Sequence, residues 1–319
     1  MAVELGLQAA SFARAAQTHV LAVGGTMSPD SVRRITEGAG AQVLAARQAE
    51  VAQAHDESAT AEVSLKLSDP ISDQASLSTD GVLIPIRDAG WKEVKVTVVS
   101  AVSVSPRTPE QVSAPHPAHE PVVMLSRHSY QATLGDADEM ARWQYAEGLR
   151  RGLPNCRRLS SVNDGAPWIE RITQTNFPQA VQIVDWAHAA QHIHAAAEQA
   201  WPRDPTPAQR WAHAQLDRLW AGEALAVAEA IGGLPHPQAA ASAGYFVNNA
   251  RRMRYADFRA QGLPIGSGAV ESAGKTVIQH RLKRPGRGWT RANAQAVIAA
   301  LCELHSDRLD AIIRLCRLR

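Results

Sequence analysis

The chain has 319 residues, 45% hydrophobic and 20% charged, with a net charge of +2. That is the profile of a globular protein with room for one large or two ordinary domains. No run approaches the roughly 18 apolar residues of a membrane span, and Met1-Ala2-Val3-Glu4 opens no basic-then-apolar leader, so a cytoplasmic protein with no membrane partner is expected.

Cys156, Cys302 and Cys316 are odd in number and lack metal-ligand spacing, which reads as free thiols in a reducing compartment. The small net charge hides an asymmetry. From Arg251 to Arg319 there are 14 Lys and Arg against 5 Asp and Glu, a balance of +9, which leaves −7 on residues 1–250. A basic C-terminal third suits either a polyanion, nucleic acid first, or a solvated helical face.

Residues 1–60 read as helical. Phe12 to Val23 has helical apolar spacing and is broken by Gly24-Gly25-Thr26. Ser28-Pro29 forms an N-cap and N1 pair for a short helix from Asp30 to Glu37, closed by Gly38 and Gly40. With Arg33 and Arg34 exposed, this pattern fits a helix-turn-helix DNA reader or a plain helical hairpin. Ala41 to Ala59 reads as a helical linker.

The character changes at Val63. Ala75 to Ile86 is strand-like and contains Asp80-Gly81; Asp88-Ala89-Gly90 turns; Glu93 to Val99 alternates at period two. After a proline-rich loop (Pro106, Pro109, Pro115, Pro117, Pro121), the pattern predicts a third strand over Val122 to Leu134 and a helix over Asp136 to Arg151. A fourth strand, Arg157 to Val162, ends at Asn163-Asp164-Gly165. A short helix begins near Pro167, and a fifth strand, Ala180 to Val184, ends at Asp185. Three strands followed by alternating helices and strands is the order of an RNase H-like α/β fold with a mixed sheet. Residues 63–188 form its first part, 189–261 an all-helical insertion, and 262–319 the returning helix, a basic segment and amphipathic C-terminal helices with Val297, Ile298, Leu301 and Leu304 on one face.

In this order the first and fourth strands are neighbours, so Asp80 and Asp164 meet. Acids that meet in a partly buried site repel unless a cation neutralises them. Mg²⁺ or Mn²⁺, in a two-ion arrangement, suits oxygen ligands and phosphate chemistry. Glu271, in the first turns of the helix opened by Gly266-Ser267-Gly268, is the third carboxylate. With Ser267 as N-cap, Glu271 lies one position beyond the capping-box site. Singly, each acid also suits a turn, a cap or a helix-dipole partner. Asp185, His188 and His192 share a helical face; a zinc site is conceivable, but contact between His188 and DNA or a catalytic acid is the better use. The run Arg281, Lys283, Arg284, Arg287 and Arg291 reads as a grip on DNA backbone, with Trp289 as a stacking face or a core residue and Lys275 as a phosphate contact or a partner of Glu271.

Ser78-Thr79-Asp80-Gly81, Asn163 to Ile169, Asp185-Trp186-Ala187-His188 and Gly262 to Glu271 together resemble the DDE transposases of ISKra-type insertion sequences, relatives of the Mutator-like group. The similarity spans about Val63 to Leu304. It implies an RNase H-like domain with a helical insertion, a metal-binding triad of Asp80, Asp164 and Glu271, and an accessory signature of Asp185 and His188. It also implies DNA as partner, a homo-oligomer on DNA and a nucleoid-associated location. Asn163 stands where a glycine is expected, and family members carry a longer region before Ser28, so a truncated copy is expected. The expected function is metal-dependent strand cleavage at element ends and strand transfer. The alternatives are a metal-dependent nuclease outside transposition and an inactive DNA-binding remnant.

Overall fold

Alternation of apolar residues along three long strands sets the architecture. In the computed structural model, which describes residues 1–56, 68–111, 120–234, 237–284 and 288–317, β1 (Gln74–Ile86), β2 (Gly90–Ser105) and β3 (Val122–Thr133) form an antiparallel meander, with a bulge between Val99 and Ala101 of β2. β4 (Arg158–Asn163) and β5 (Val181–Val184) add in parallel on the other side of β1, giving the order β3-β2-β1-β4-β5. This is the RNase H-like mixed sheet. The predicted strands lie on the observed ones, most closely for β1, β3, β4 and β5, while β2 runs on to Ser105, six residues past the predicted end.

One face of β1, carrying Ala75 and Leu77, packs with Val99, Leu159 and Phe177 beneath α4 (Ala137–Arg150) and α5 (Pro167–Asn176). The other face changes character along its length. Gln74, Ser76, Ser78 and Asp80 give way to Val82, Ile84 and Ile86, and the apolar part joins Val94, Val96 and Val98 in the main core. That core is completed by α11 (Gly268–Ala273), which runs on through a π-helical stretch, Gly274–Gln279, into the short α12 (His280–Leu282), and by α13 (Arg291–His305). A Cβ on Gly274 would lie 2.5 Å from Val82 Cγ1, so only glycine lets this helix approach the strand so closely. A second core gathers Val162, Ile183 and Val184 with α6 (Trp186–Ala200), α7 (Pro205–Trp220), α8 (Ala224–Gly232), α9 (Pro237–Asn249) and α10 (Tyr255–Ala260).

The N-terminal region departs from expectation. After α1 (Ala2–Gln8) and α2 (Phe12–Val23), a single helix, α3, spans Pro29–Ala54 and runs straight through Gly38 and Gly40. A Cβ on Gly40 would come within 2.5 Å of the Ala296 carbonyl; that glycine permits close packing on α13 and does not stop the helix. The expected linker buries Val43, Arg47, Val51 and Ala54; residues 57–59 lie outside the described residues. Arg33 pairs with Asp30 and Glu37, and Arg34 pairs with Asp30. No helix among the described residues is long and apolar enough to cross a membrane.

Candidate functional site

β1 and β4 keep parallel register from Gln74↔Arg158 to Leu77↔Ser161 and then part. Asn163 holds the opening: its Oδ1 accepts the Thr79 N–H at 2.7 Å and its Nδ2 donates to Ser161 Oγ at 2.9 Å. A glycine there would leave the buried Thr79 N–H without this partner, which explains the asparagine. The offset of 84 positions that joins Thr79 to Asn163 also relates Asp80 to Asp164, so the two carboxylates flank the same gap. Asp80 Oδ1 accepts the Gly81 N–H at 2.7 Å and Asp164 Oδ1 the Ala166 N–H at 2.8 Å. Each is thus oriented by a local backbone donor through one oxygen.

Asp185 caps α6 from a buried position. Its Oδ1 accepts the His188 N–H at 2.7 Å and faces His188 Nδ1 at 3.1 Å, while its Oδ2 accepts the Ser267 N–H at 2.5 Å. The Trp186 N–H also donates to the Ile265 carbonyl at 2.9 Å. Asp185 therefore ties the start of α6 to the glycine-rich turn that launches α11 and Glu271. With Nδ1–H directed at Asp185, the neutral His188 ring presents Nε2 as its free acceptor. Ligand atoms of Asp185, His188 and Glu271 lie within 4.8 Å of one another, and Ser267 Oγ reaches Glu271 Oε1 at 3.4 Å.

Burial pushes the Asp80 carboxyl up, the Gly81 N–H offsets part of this, and the charges of Asp164 and Glu271 push it further up against His188. Four side chains from β1, the β4 end, α6 and α11 thus share one field. His188 is raised, first by its bond to Asp185 and then by the charges of Asp185, Asp164 and Glu271. Asp185 behaves differently: burial pushes it up, but His188 and the Ser267 and His188 N–H groups bring it below the usual carboxylate range.

Among the described residues the group at ligand spacing is Asp185, His188 and Glu271, a donor set of carboxylate oxygens and an imidazole nitrogen that suits a divalent cation. Asp80 and Asp164 stand outside that spacing, and Asp80 is tied to the group by burial and by the charges around it. Of the acids, Asp185 has the least to offer an ion, since His188 and Ser267 already occupy its oxygens.

The helical insertion reaches this site. Tyr245 on α9 donates from its hydroxyl to the Asp164 carbonyl at 3.0 Å, and His192 stacks on its ring at 3.8 Å. His192 is thereby spent on packing and stands apart from the Asp185–His188–Glu271 group. Tyr245 carries no mark in the sequence, because its partner is a backbone carbonyl 81 residues away. Ser267 was visible only as a helix cap.

The basic run divides. Arg281, expected to grip DNA, is 1% exposed; its guanidinium lies over the rings of Phe12 (4.3 Å) and Trp289 (5.0 Å), and its Nε donates to the Gly6 carbonyl at 2.9 Å. Trp289 is also buried, edge-on to Phe12 and bridged to Ile86 of β1, so it is a core residue and offers no base a stacking face. Arg291 is exposed and donates to the Leu134 carbonyl at 2.6 Å. Lys275 and Lys283 are exposed, and Arg284 is half-buried against the His280 carbonyl. Arg287 lies outside the described residues.

No family model matches the sequence, and no curated protein does. Among solved structures, the Drosophila P element transposase strand transfer complex aligns at a TM-score of 0.23 and 9% identity, over 94% of this chain and 83% of that one. A likeness this slight bears on neither fold nor function.

Proposed function

We propose that the chain is a metal-dependent DNA strand-cleaving enzyme of the DDE transposase type, cutting at element ends and joining the freed 3′-hydroxyl to target DNA. One observation carries the reading: Asp80 and Asp164 flank the gap where β1 leaves β4, and the Asp80 carboxyl is pushed up by burial first and then by the charges of Asp164 and Glu271. In this reading Asp80, Asp164 and Glu271 hold Mg²⁺ or Mn²⁺. Bound there, two such ions supply Lewis-acid activation of a hydroxyl and stabilisation of the leaving oxygen.

The chain's own residues orient and exchange protons around that centre. Asp185 fixes the His188 ring through Nδ1 and sets the start of the Glu271 helix through Ser267. His188, its ring fixed through Nδ1 by Asp185, would use Nε2 to hold or release a proton beside the reacting phosphate. Lys275, Lys283 and Arg284, along and just past the helix that starts before Glu271, supply the backbone grip.

The test is Asp164→Asn. It is expected to lower Mg²⁺-dependent cleavage of DNA by at least about a thousandfold, on the order of 4 kcal/mol of barrier, with DNA affinity unchanged. Undiminished cleavage by the variant would refute the assignment. Cleavage with no preference for terminal repeats would reduce it to a nuclease.

A further inference from the structure

Beyond Leu77, β1 has no β4 beside it, yet its pairing with β2 continues to Ile86↔Gly90. The hairpin thus projects past the sheet. On the face opposite Asp80 it presents Leu83, 50% exposed, and Trp91, 57% exposed and paired across the strands with Pro85. Among the described residues Trp91 is the one exposed tryptophan. Packing on Pro85 uses little of its ring, so the hairpin does not account for the side chain.

Lys283, just past α12, places its Nζ 5.6 Å from the centre of the Trp91 ring. Arg87 and Lys92 lie on or beside the hairpin turn, and Arg284 follows Lys283 in the chain; the acids of the same hairpin end are Asp88 and Glu93, and Glu93 is engaged by Lys95 at 2.6 Å. An aromatic ring with a cation at one face, in a surplus of positive charge, has the composition of a stacking platform for a nucleobase with its phosphate. A protein partner matched to Leu83 and Trp91 alone would have to leave these cations unpaired.

We infer that the outer end of the β1–β2 hairpin is a single-strand clamp, in which Trp91 stacks on an unpaired base and Lys283 holds the adjoining phosphate. A base inside a duplex has both faces covered, so the clamp selects frayed ends, tails or flaps. The inference rests on the DNA reading above and adds to it the form of DNA preferred. The rod that carries Glu271 also ends at this platform: Glu271 to Lys283 is 12 residues, about 18 Å at helical rise.

The experiment uses the full chain and two fluorescent DNAs of the same arbitrary sequence. One is a blunt duplex; the other carries a tail of several nucleotides with 2-aminopurine in it. Wild type is expected to bind the tailed DNA about tenfold more tightly than the blunt one and to quench the 2-aminopurine. Trp91→Ala should abolish both the preference and the quenching, while Trp91→Phe keeps most of each. Lys283→Ala should weaken both DNAs. Circular dichroism melting of Trp91→Ala is expected to match wild type, since the ring is exposed. If Trp91→Ala binds both DNAs as wild type does, the clamp is refuted and the DNA reading stands; a protein-docking role for Trp91 would give this result. If wild type binds neither DNA, the DNA reading fails and the clamp fails with it.

Discussion

Two clusters of carboxylates are drawn into this protein, and they differ in what neutralises them. In the first, α3, α4, α13 and the segment after α13 bring Glu147 and Glu303 together with Arg47, Arg150 and Arg308. Glu147 meets Arg308 at 2.6 Å and Arg47 at 2.9 Å; Glu303 meets Arg150 at 3.1 Å and Arg308 at 3.2 Å. Burial alone would push Glu147 up, but Arg308 and Arg47 hold it down at about 2. In the second, Asp80, Asp164 and Glu271 share a field opposed by His188. Among the described residues no lysine or arginine stands at ion-pair distance from any of the three. Glu147 and Glu303 are buried, whereas Asp80, Asp164 and Glu271 are half-buried. They differ further in whether the chain brings its own counter-charge: the first cluster is a brace, and in the reading proposed above the second takes its counter-charge from what it binds.

The contrast breaks most readily at the brace. Glu147→Ala leaves Arg47 and Arg308 buried without their shared anion and should cost about 3–5 kcal/mol in urea unfolding. Asp80→Asn, measured in cation-free buffer, should hold or raise the midpoint, because it removes a charge its neighbours oppose. Equal losses in the two variants would erase the distinction. The next effect comes from ligand: Mg²⁺ or Mn²⁺ at a hundredfold its dissociation constant should stabilise wild type by about 2.7 kcal/mol, and Asp80→Asn should lose most of that gain in a thermal melt.

Acid acts on the brace with a defined sign. The folded Glu147 carboxyl lies near 2, below its ordinary 4.5. Its contribution is therefore complete above about pH 4.5 and is lost as pH falls toward 2. Wild type and Glu147→Gln should differ most near neutrality and converge across that window, as read from stability against pH. The smallest change expected is Tyr245→Phe, about 1 kcal/mol for one hydrogen bond to the Asp164 carbonyl. It should lower cleavage while DNA binding persists; unaltered cleavage would separate the insertion from the site.

Much of this was legible in the sequence, and for a physical reason. Short β-rich runs bounded by turn residues mark strands plainly, so β1 through β5, and the adjacency of β1 and β4, could be read from their order. The turn before Glu271 was visible as a glycine-rich helix start. What stayed hidden depends on partners far along the chain. Gly40 looks like a helix stop until Ala296 is seen against it. Arg281 looks like a DNA contact until Phe12 and Trp289 enclose it. Arg47, Glu147 and Arg308 carry no local mark of being one network, and Trp91 reads as any strand aromatic until its exposure is known.

The bond from Arg281 to the Gly6 carbonyl spans 275 positions, and it sets an order of assembly. A chain growing from its N-terminus at about 5–20 residues per second must hold α1 in waiting for on the order of tens of seconds before Arg281 emerges. Until then, the sheet face bearing Val94, Val96 and Val98 also lacks α11 and α13 as its cover. A nascent chain halted short of α13 therefore displays its stickiest surface with no means to close it, and it is expected to need chaperone protection or to aggregate. The helix that brings Glu271 to the other acids is among the last pieces made, so the protein acquires its site only at the end of synthesis.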